Sequence, residues 1–161
     1  MGMQYDVKSV HMSASGVAVG YRARLKGVVI SPSESQTLNL AFCDNISLSG
    51  TYDVPGSTVC TVTIANHGLS NGDRVYLNFT SGSSSDNTYT VSNVSTNTFT
   101  VTVASATTSG NVTMYATVLI ELDCASATAF YTLIPGEGIL AEQGIYVGLP
   151  SATVTTTLFY G

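Results

Sequence analysis

The sequence is poor in charge. Only 9% of its 161 residues are Asp, Glu, Lys or Arg, against roughly a quarter in an average soluble domain. Five of these are basic and ten acidic, for a net charge of −5. So few cations leave no extended basic footprint, which argues against nucleic-acid binding. Long apolar runs are missing as well. The 44% of hydrophobic residues never gather into a stretch of about 18, so no transmembrane helix is encoded and no membrane insertion is expected. Low charge combined with this much apolar content also excludes an intrinsically disordered chain. Met1 to Val10 carries Asp6 and Lys8 among its apolar residues and lacks a basic region followed by an apolar one, so no secretory signal is expected. Cysteine is scarce and odd in number: Cys43, Cys60 and Cys124. They read as small buried thiols of a protein made in a reducing cytoplasm, with a Cys43–Cys124 bridge as the alternative.

Helical periodicity is also absent. No segment offers an apolar stripe at i, i+3, i+4, i+7 over three turns. What fills the chain is Ser and Thr, about a quarter of it, alternating with β-branched and aromatic residues at period two, the pattern of half-buried strands. Thr98 to Val103 reads Thr-Phe-Thr-Val-Thr-Val, with Phe99, Val101 and Val103 on one side. Val59–Ile64, Arg74–Thr80, Asn87–Asn93 and Tyr115–Leu122 behave alike. Turn chemistry separates them: Ser31-Pro32-Ser33-Glu34-Ser35, Val54-Pro55-Gly56-Ser57, Asn66-His67-Gly68, Ser70-Asn71-Gly72-Asp73, the polar loop Ser81–Asn87, Ser109-Gly110-Asn111 and Pro135-Gly136-Glu137-Gly138. Gly and Asn supply the positive φ that tight turns need. Turns every 8–12 residues or so predict an all-β sandwich or barrel.

Composition divides the chain. Residues 58–113 hold only Asp73, Arg74 and Asp86 as charges and are crowded with Thr, Ser, Asn and Val. Their five short predicted strands suit a small β-barrel. The flanks, about 57 and 48 residues, are each too short to bury a good core. We therefore expect a discontinuous β-sandwich of jelly-roll type from 1–57 and 114–161, with 58–113 inserted between two neighbouring strands at an exposed turn.

Catalytic and metal-binding patterns are lacking. His11 and His67 are the only imidazoles, and no C-x₂-C or H-x₃-H spacing accompanies them. His67, before Gly68, reads as a turn residue bonding local backbone. The cysteines have no neighbouring base to form a nucleophilic pair. Glu121 and Asp123 share a strand face at i, i+2, but read as a solvated edge rather than a glycosidase pair. Asp44-Asn45 and Asp86-Asn87 lack the rest of a calcium loop. No phosphate cradle precedes a helix. Neither enzyme activity nor a cofactor is expected.

Two features carry function. Arg22, Arg24 and Lys26 recur at i, i+2, i+4, so on a strand they project from one face. They form a candidate docking stripe for an acidic partner surface, since Arg pairs carboxylates bidentately. The second feature is the stretch Asn66-His67-Gly68-Leu69-Ser70-Asn71-Gly72-Asp73-Arg74-Val75-Tyr76-Leu77, followed by Thr88-Tyr89-Thr90-Val91 and Asn97-Thr98-Phe99-Thr100-Val101. It resembles a β module that recurs in tailed-phage virion and tail proteins, where a turn motif of the form HGLxxGD (here His67, Gly68, Gly72 and Asp73) precedes a Gly/Ser loop and two strands. The remainder resembles a small phage virion β protein in Gly20–Val28, Ile134–Ile139, Gly144–Val147 and Thr156–Gly161.

The resemblance implies a structural protein of the virion, assembled in the host cytoplasm. It points to a capsid decoration (cement) protein that docks on the major capsid or another virion protein. Low-charge strand edges need covering, so a homo-oligomer is expected, a trimer being favoured. The alternative is a neck, tail or fibre component whose inserted domain makes weak contact with host-surface glycans through Tyr76, Phe79 and Tyr89.

Overall fold

The computed structural model describes residues 7–33, 38–124, 128–150 and 153–161. Among them are thirteen strands and no helix. In chain order they are β1 (Lys8–Met12), β2 (Gly16–Val19), β3 (Ala23–Pro32), β4 (Leu38–Asp44), β5 (Ser47–Thr63), β6 (Arg74–Phe79), β7 (Asn87–Thr90), β8 (Thr98–Tyr115), β9 (Val118–Cys124), β10 (Phe130–Leu133), β11 (Ile139–Ala141), β12 (Ile145–Gly148) and β13 (Val154–Tyr160). They fall into two compact units. One runs up to Asn45 and resumes at Leu119; the other is Ile46–Val118.

The first unit is a sandwich of two antiparallel sheets. One has the order β1-β13-β3-β10, with β11 also on β3; the other is β2-β12-β4-β9. In both sheets spatial neighbours come from distant parts of the chain, β1 beside β13 and β2 beside β12. The period-two pattern sets the faces, interrupted in β3 by a bulge between Leu25 and Gly27 opposite Tyr160. Leu25, Val28 and Ile30 of β3 and Val154 and Leu158 of β13 pack against Leu40 and Phe42 of β4 and Ile145 and Val147 of β12. Burying each such side chain contributes roughly 1.5–3 kcal/mol. Strand β3 holds β13 on one edge and, on the other, β10 and then β11. Between these two the chain leaves the ladder through Pro135-Gly136-Glu137-Gly138, with Gly136 and Gly138 at φ of 67° and 80°.

The second unit is one curled sheet, ordered β5-β8-β6-β7. Strands β5 and β8 pair from Ser47↔Tyr115 to Thr63↔Thr98, a long ribbon broken by bulges between Pro55 and Val59. The ribbon bends over itself. Gly50, early in β5, lies against the Thr63 carbonyl and the Ile64 side chain at its far end. A single bridge, Ser92↔Thr100, joins the chain after β7 to the first part of β8. These contacts close the sheet around Val54, Val62, Val75, Leu77, Phe99 and Met114.

Several sequence-based expectations change here. The domain limits at 57/58 and 113/114 fall inside β5 and β8; the compact unit starts at Ile46 and ends at Val118. Val54-Pro55-Gly56-Ser57 does not end a strand. Gly56, at φ 78°, sits in a bulge of β5, and a bulge in an edge strand tolerates proline. Ser109-Gly110-Asn111 is strand rather than turn. Gly110 is there because a Cβ would lie 2.6 Å from the Ser81 carbonyl oxygen, so the glycine marks a close backbone approach. The five short strands are thus four, two of them long. Conversely, Tyr115–Leu122 is not one strand: it breaks at Ala116 and Thr117, between β8 and β9.

Candidate functional site

The basic residues lie where β3 begins. Arg22 precedes the strand, in a bend, while Arg24 and Lys26 lie within it, half-buried, and alternate with buried Ala23 and Leu25. Tyr21, which would take the opposite face from Arg22 if the strand began there, is 54% exposed. All three cations meet the segment around β11. Arg22 Nε donates to Glu142 Oε2 at 2.9 Å, Arg24 Nη1 to the Gly138 carbonyl at 3.3 Å and Lys26 Nζ to the Glu137 carbonyl at 2.7 Å. The exposed Arg22–Glu142 pair contributes little stability. Arg24 and Lys26 have neutral acceptors, which orient their charges without cancelling them.

Charge is sorted by sheet. Among the described residues, the strands β1, β3, β10, β11 and β13 carry Lys8, Arg24 and Lys26 and no carboxylate. Strands β2, β4, β9 and β12 carry Asp44, Glu121 and Asp123 and no cation. The last three are built into the fold. Asp44 is buried and accepts the backbone N–H groups of Glu142 at 2.8 Å and Gln143 at 3.0 Å. Asn39 Nδ2 donates to both Glu121 Oε1 and Asp123 Oδ1. Among the described residues no group of three or more His, Cys, Asp or Glu converges to hold a metal.

The HGLxxGD stretch is a pair of loops held by its own side chains. His67 Nδ1 accepts the Leu69 N–H at 3.1 Å, and Asp73 Oδ2 accepts the Ser70 N–H at 2.8 Å. Asn71 Oδ1 accepts the Val94 N–H at 3.1 Å and Asn97 Oδ1 the Asn66 N–H at 3.0 Å. Gly68 and Gly72 take φ of 71° and 94°, and Asn66 joins them at 51°. Because His67 Nδ1 accepts, its proton resides on Nε2. The ring is 7% exposed and packs edge-to-face on Phe99, centroids 5.1 Å apart. Beside it opens a groove of about 420 Å³ lined by Asn66, His67, Gly68, Leu69, Val94, Ser95 and Thr96.

The three aromatics expected as surface platforms are not presented as such. Tyr76 is 1% exposed. Phe79 sits between Tyr52, at 4.6 Å, and Tyr89, at 6.1 Å. The Tyr89 hydroxyl donates to the Ser85 carbonyl at 2.6 Å, and burial pushes its pKa up to about 12. The pairings expose what alternation alone misses: β6 is covered on both faces, with Val75, Tyr76 and Leu77 all buried. All three cysteines are buried free thiols. Burial raises Cys43 to about 12, with Glu121 and Asp44 adding to the effect, and Cys60 to about 11, with Asp53 adding.

Sequence reasoning passed over two residues that matter. Tyr131 and Leu133, at i, i+2 on β10, are 72% and 71% exposed. The signal was legible in Phe130-Tyr131-Thr132-Leu133, whose two alternating sides are both apolar on one side and half-apolar on the other. No protein-family model matches the chain, and no curated protein sequence matches it.

Proposed function

We propose that this chain is a non-enzymatic structural protein of a tailed-phage particle, decorating the capsid and docking on the shell through its sandwich as a homo-oligomer. The observation that carries this reading is the unequal division of charge between the units. Lys8, Arg22, Arg24 and Lys26 all belong to the sandwich. The inserted unit has Arg74 as its one cation, with Asp53, Asp73 and Asp86, and dresses its strands with Ser, Thr and Asn. A cation-bearing part and a part dressed in uncharged polar side chains are what a decoration protein needs. The polar side chains of the HGLxxGD stretch support the same reading, since they stiffen loops instead of converging on a reacting centre. Quantitative mass spectrometry of purified particles tests it. Copy numbers comparable to those of the shell subunit are expected, and absence from the particle refutes the proposal. Light scattering of the purified chain should give an oligomer, with a trimer expected.

A second reading rests on the groove beside His67. Leu69 and Val94 offer apolar surface and Ser95 and Thr96 hydroxyls, a combination that suits a sugar ring in a neck, tail or fibre component. Low copy number and binding to host cells but not to capsids favour that reading over decoration.

A further inference from the structure

We propose that the outer face of the β1-β13-β3-β10 sheet is a docking surface for an acidic protein partner, with Tyr131 and Leu133 as its apolar anchors and Arg24 and Lys26 as its charged flank. The proposal rests on the reading of the chain as a docking protein of the particle and names the surface and the chemistry it grips.

Strand β10 lies at the edge of its sheet and pairs only with β3. Its Phe130 turns inward against the sandwich core, which turns Tyr131 and Leu133 outward. They are the two most exposed large hydrophobic residues among those described, at 72% and 71%. Their neighbours across the ladder extend the strip. Tyr131 faces Val29, and Leu133 faces Gly27 and, beyond it, Phe159. Gly27 makes the seat for Leu133: a Cβ there would lie 3.2 Å from Leu133 Cδ2. The strip carries no charge, proline or bulge on β10, the devices that ordinarily blunt an edge strand. Tyr and Arg, both present on this sheet, are also residue types over-represented where protein partners bind most tightly.

The charge pattern selects the partner. Arg24 and Lys26 stand at the same outer positions of β3 and donate to neutral carbonyls. No strand of this sheet contributes a carboxylate among the described residues. In the segment beside it, Glu142 is engaged by Arg22, and Glu137 is exposed next to the carbonyl that holds Lys26. A second copy does not fit. Two such faces apposed would set cations against cations. The carboxylates of the opposite sheet are engaged within it, Asp44 by the Glu142 and Gln143 amides and Glu121 and Asp123 by Asn39. Of the carboxylates in the inserted unit, Asp73 and Asp86 are bound to the backbone amides of Ser70 and Phe79, and Asp53 is exposed. The charge pattern therefore favours a different protein as the complementary surface, apolar at its centre and acidic on one side.

The test uses phage particles assembled without this protein as the probe, with binding of the purified full chain read by co-sedimentation. Tyr131→Ser/Leu133→Ser and Arg24→Ser/Lys26→Ser should each weaken binding at least about tenfold, with melting temperature and light-scattering mass unchanged. Added salt should weaken wild-type binding, and the Arg24/Lys26 variant should lose much of that salt dependence. Val59→Ser, an exposed change on the inserted unit, should bind as wild type. If both double variants bind like wild type, the surface assignment is wrong while the decoration reading stands. If wild type itself does not bind, the decoration reading fails and takes the surface with it. If the Tyr131/Leu133 variant loses the native oligomer, the occupant is a second copy and the proposal is overturned.

Discussion

His67 acts as a substitute for a main-chain acceptor. It takes the Leu69 N–H and presses its ring on Phe99, so His67→Ala strands an amide and loosens an aromatic contact. A loss of about 1–3 kcal/mol is expected, read as a lower urea midpoint with unchanged slope; an unchanged midpoint refutes the role. The buried thiols make a second prediction. Cys60 and Cys43 have folded pKa values of about 11 and 12 against 9.0 for a free thiol. As pH rises past 9 the unfolded chain loses these protons first, so the folded state is penalised. Their contribution is therefore complete below pH 9 and declines as pH climbs toward 11–12. Melting temperature should fall across that window, and Cys43→Ala/Cys60→Ala should flatten the fall. At this scale the sequence disclosed the turns, because Gly68, Gly72 and Asn66 occupy positive φ. It did not disclose which amide each side chain accepts, since Val94 and Asn97 come from a loop more than twenty residues away.

Strand continuity was the hardest feature to read. Proline, glycine and serine together signal a turn, yet Pro55-Gly56-Ser57 forms a bulge and Gly110 a close crossing. Both outcomes depend on what the segment lies against, and local composition carries no record of that. The alternation of Thr and apolar residues did identify Val59–Thr63 and Thr98–Thr102 as strands, because one side of each must be dry; that they pair with each other is a tertiary fact. Gly50 tests the bent ribbon. A methyl group there would collide with the Thr63 carbonyl and Ile64. Gly50→Ala should cost about 1–3 kcal/mol by overpacking, although alanine is otherwise harmless in a strand. Gly20→Ala, where a Cβ meets nothing within 4 Å, is the control and should change thermal stability little.

For the molecule as a whole, the inserted unit owns a closed core that draws on both ends of the β5/β8 ribbon. Residues 46–118 should therefore fold alone and give dispersed amide NMR spectra. Residues 58–113 should not, lacking the first eleven residues of β5 and with them Tyr52 and Val54. A dispersed spectrum from the shorter piece would show the ribbon to be dispensable. The all-β class and the existence of an insertion were legible in composition and period. The boundary was not, because the change in charge density lies about eleven residues inside the structural one. Finally, the insertion leaves from β4 and returns to β9, which are neighbours in one sheet. That pairing closes a gap of more than seventy residues, and closure entropy grows with the length of the flexible segment. An inserted unit that has already folded shortens the effective gap to the spacing of its own two ends. The consequence is kinetic: the unit acts as a clasp that hastens registration of the surrounding sheets. Pulse-labelled hydrogen exchange should find β5–β8 protected before β4 and β9, and Gly50→Ala should slow protection of β4 and β9 although it touches neither.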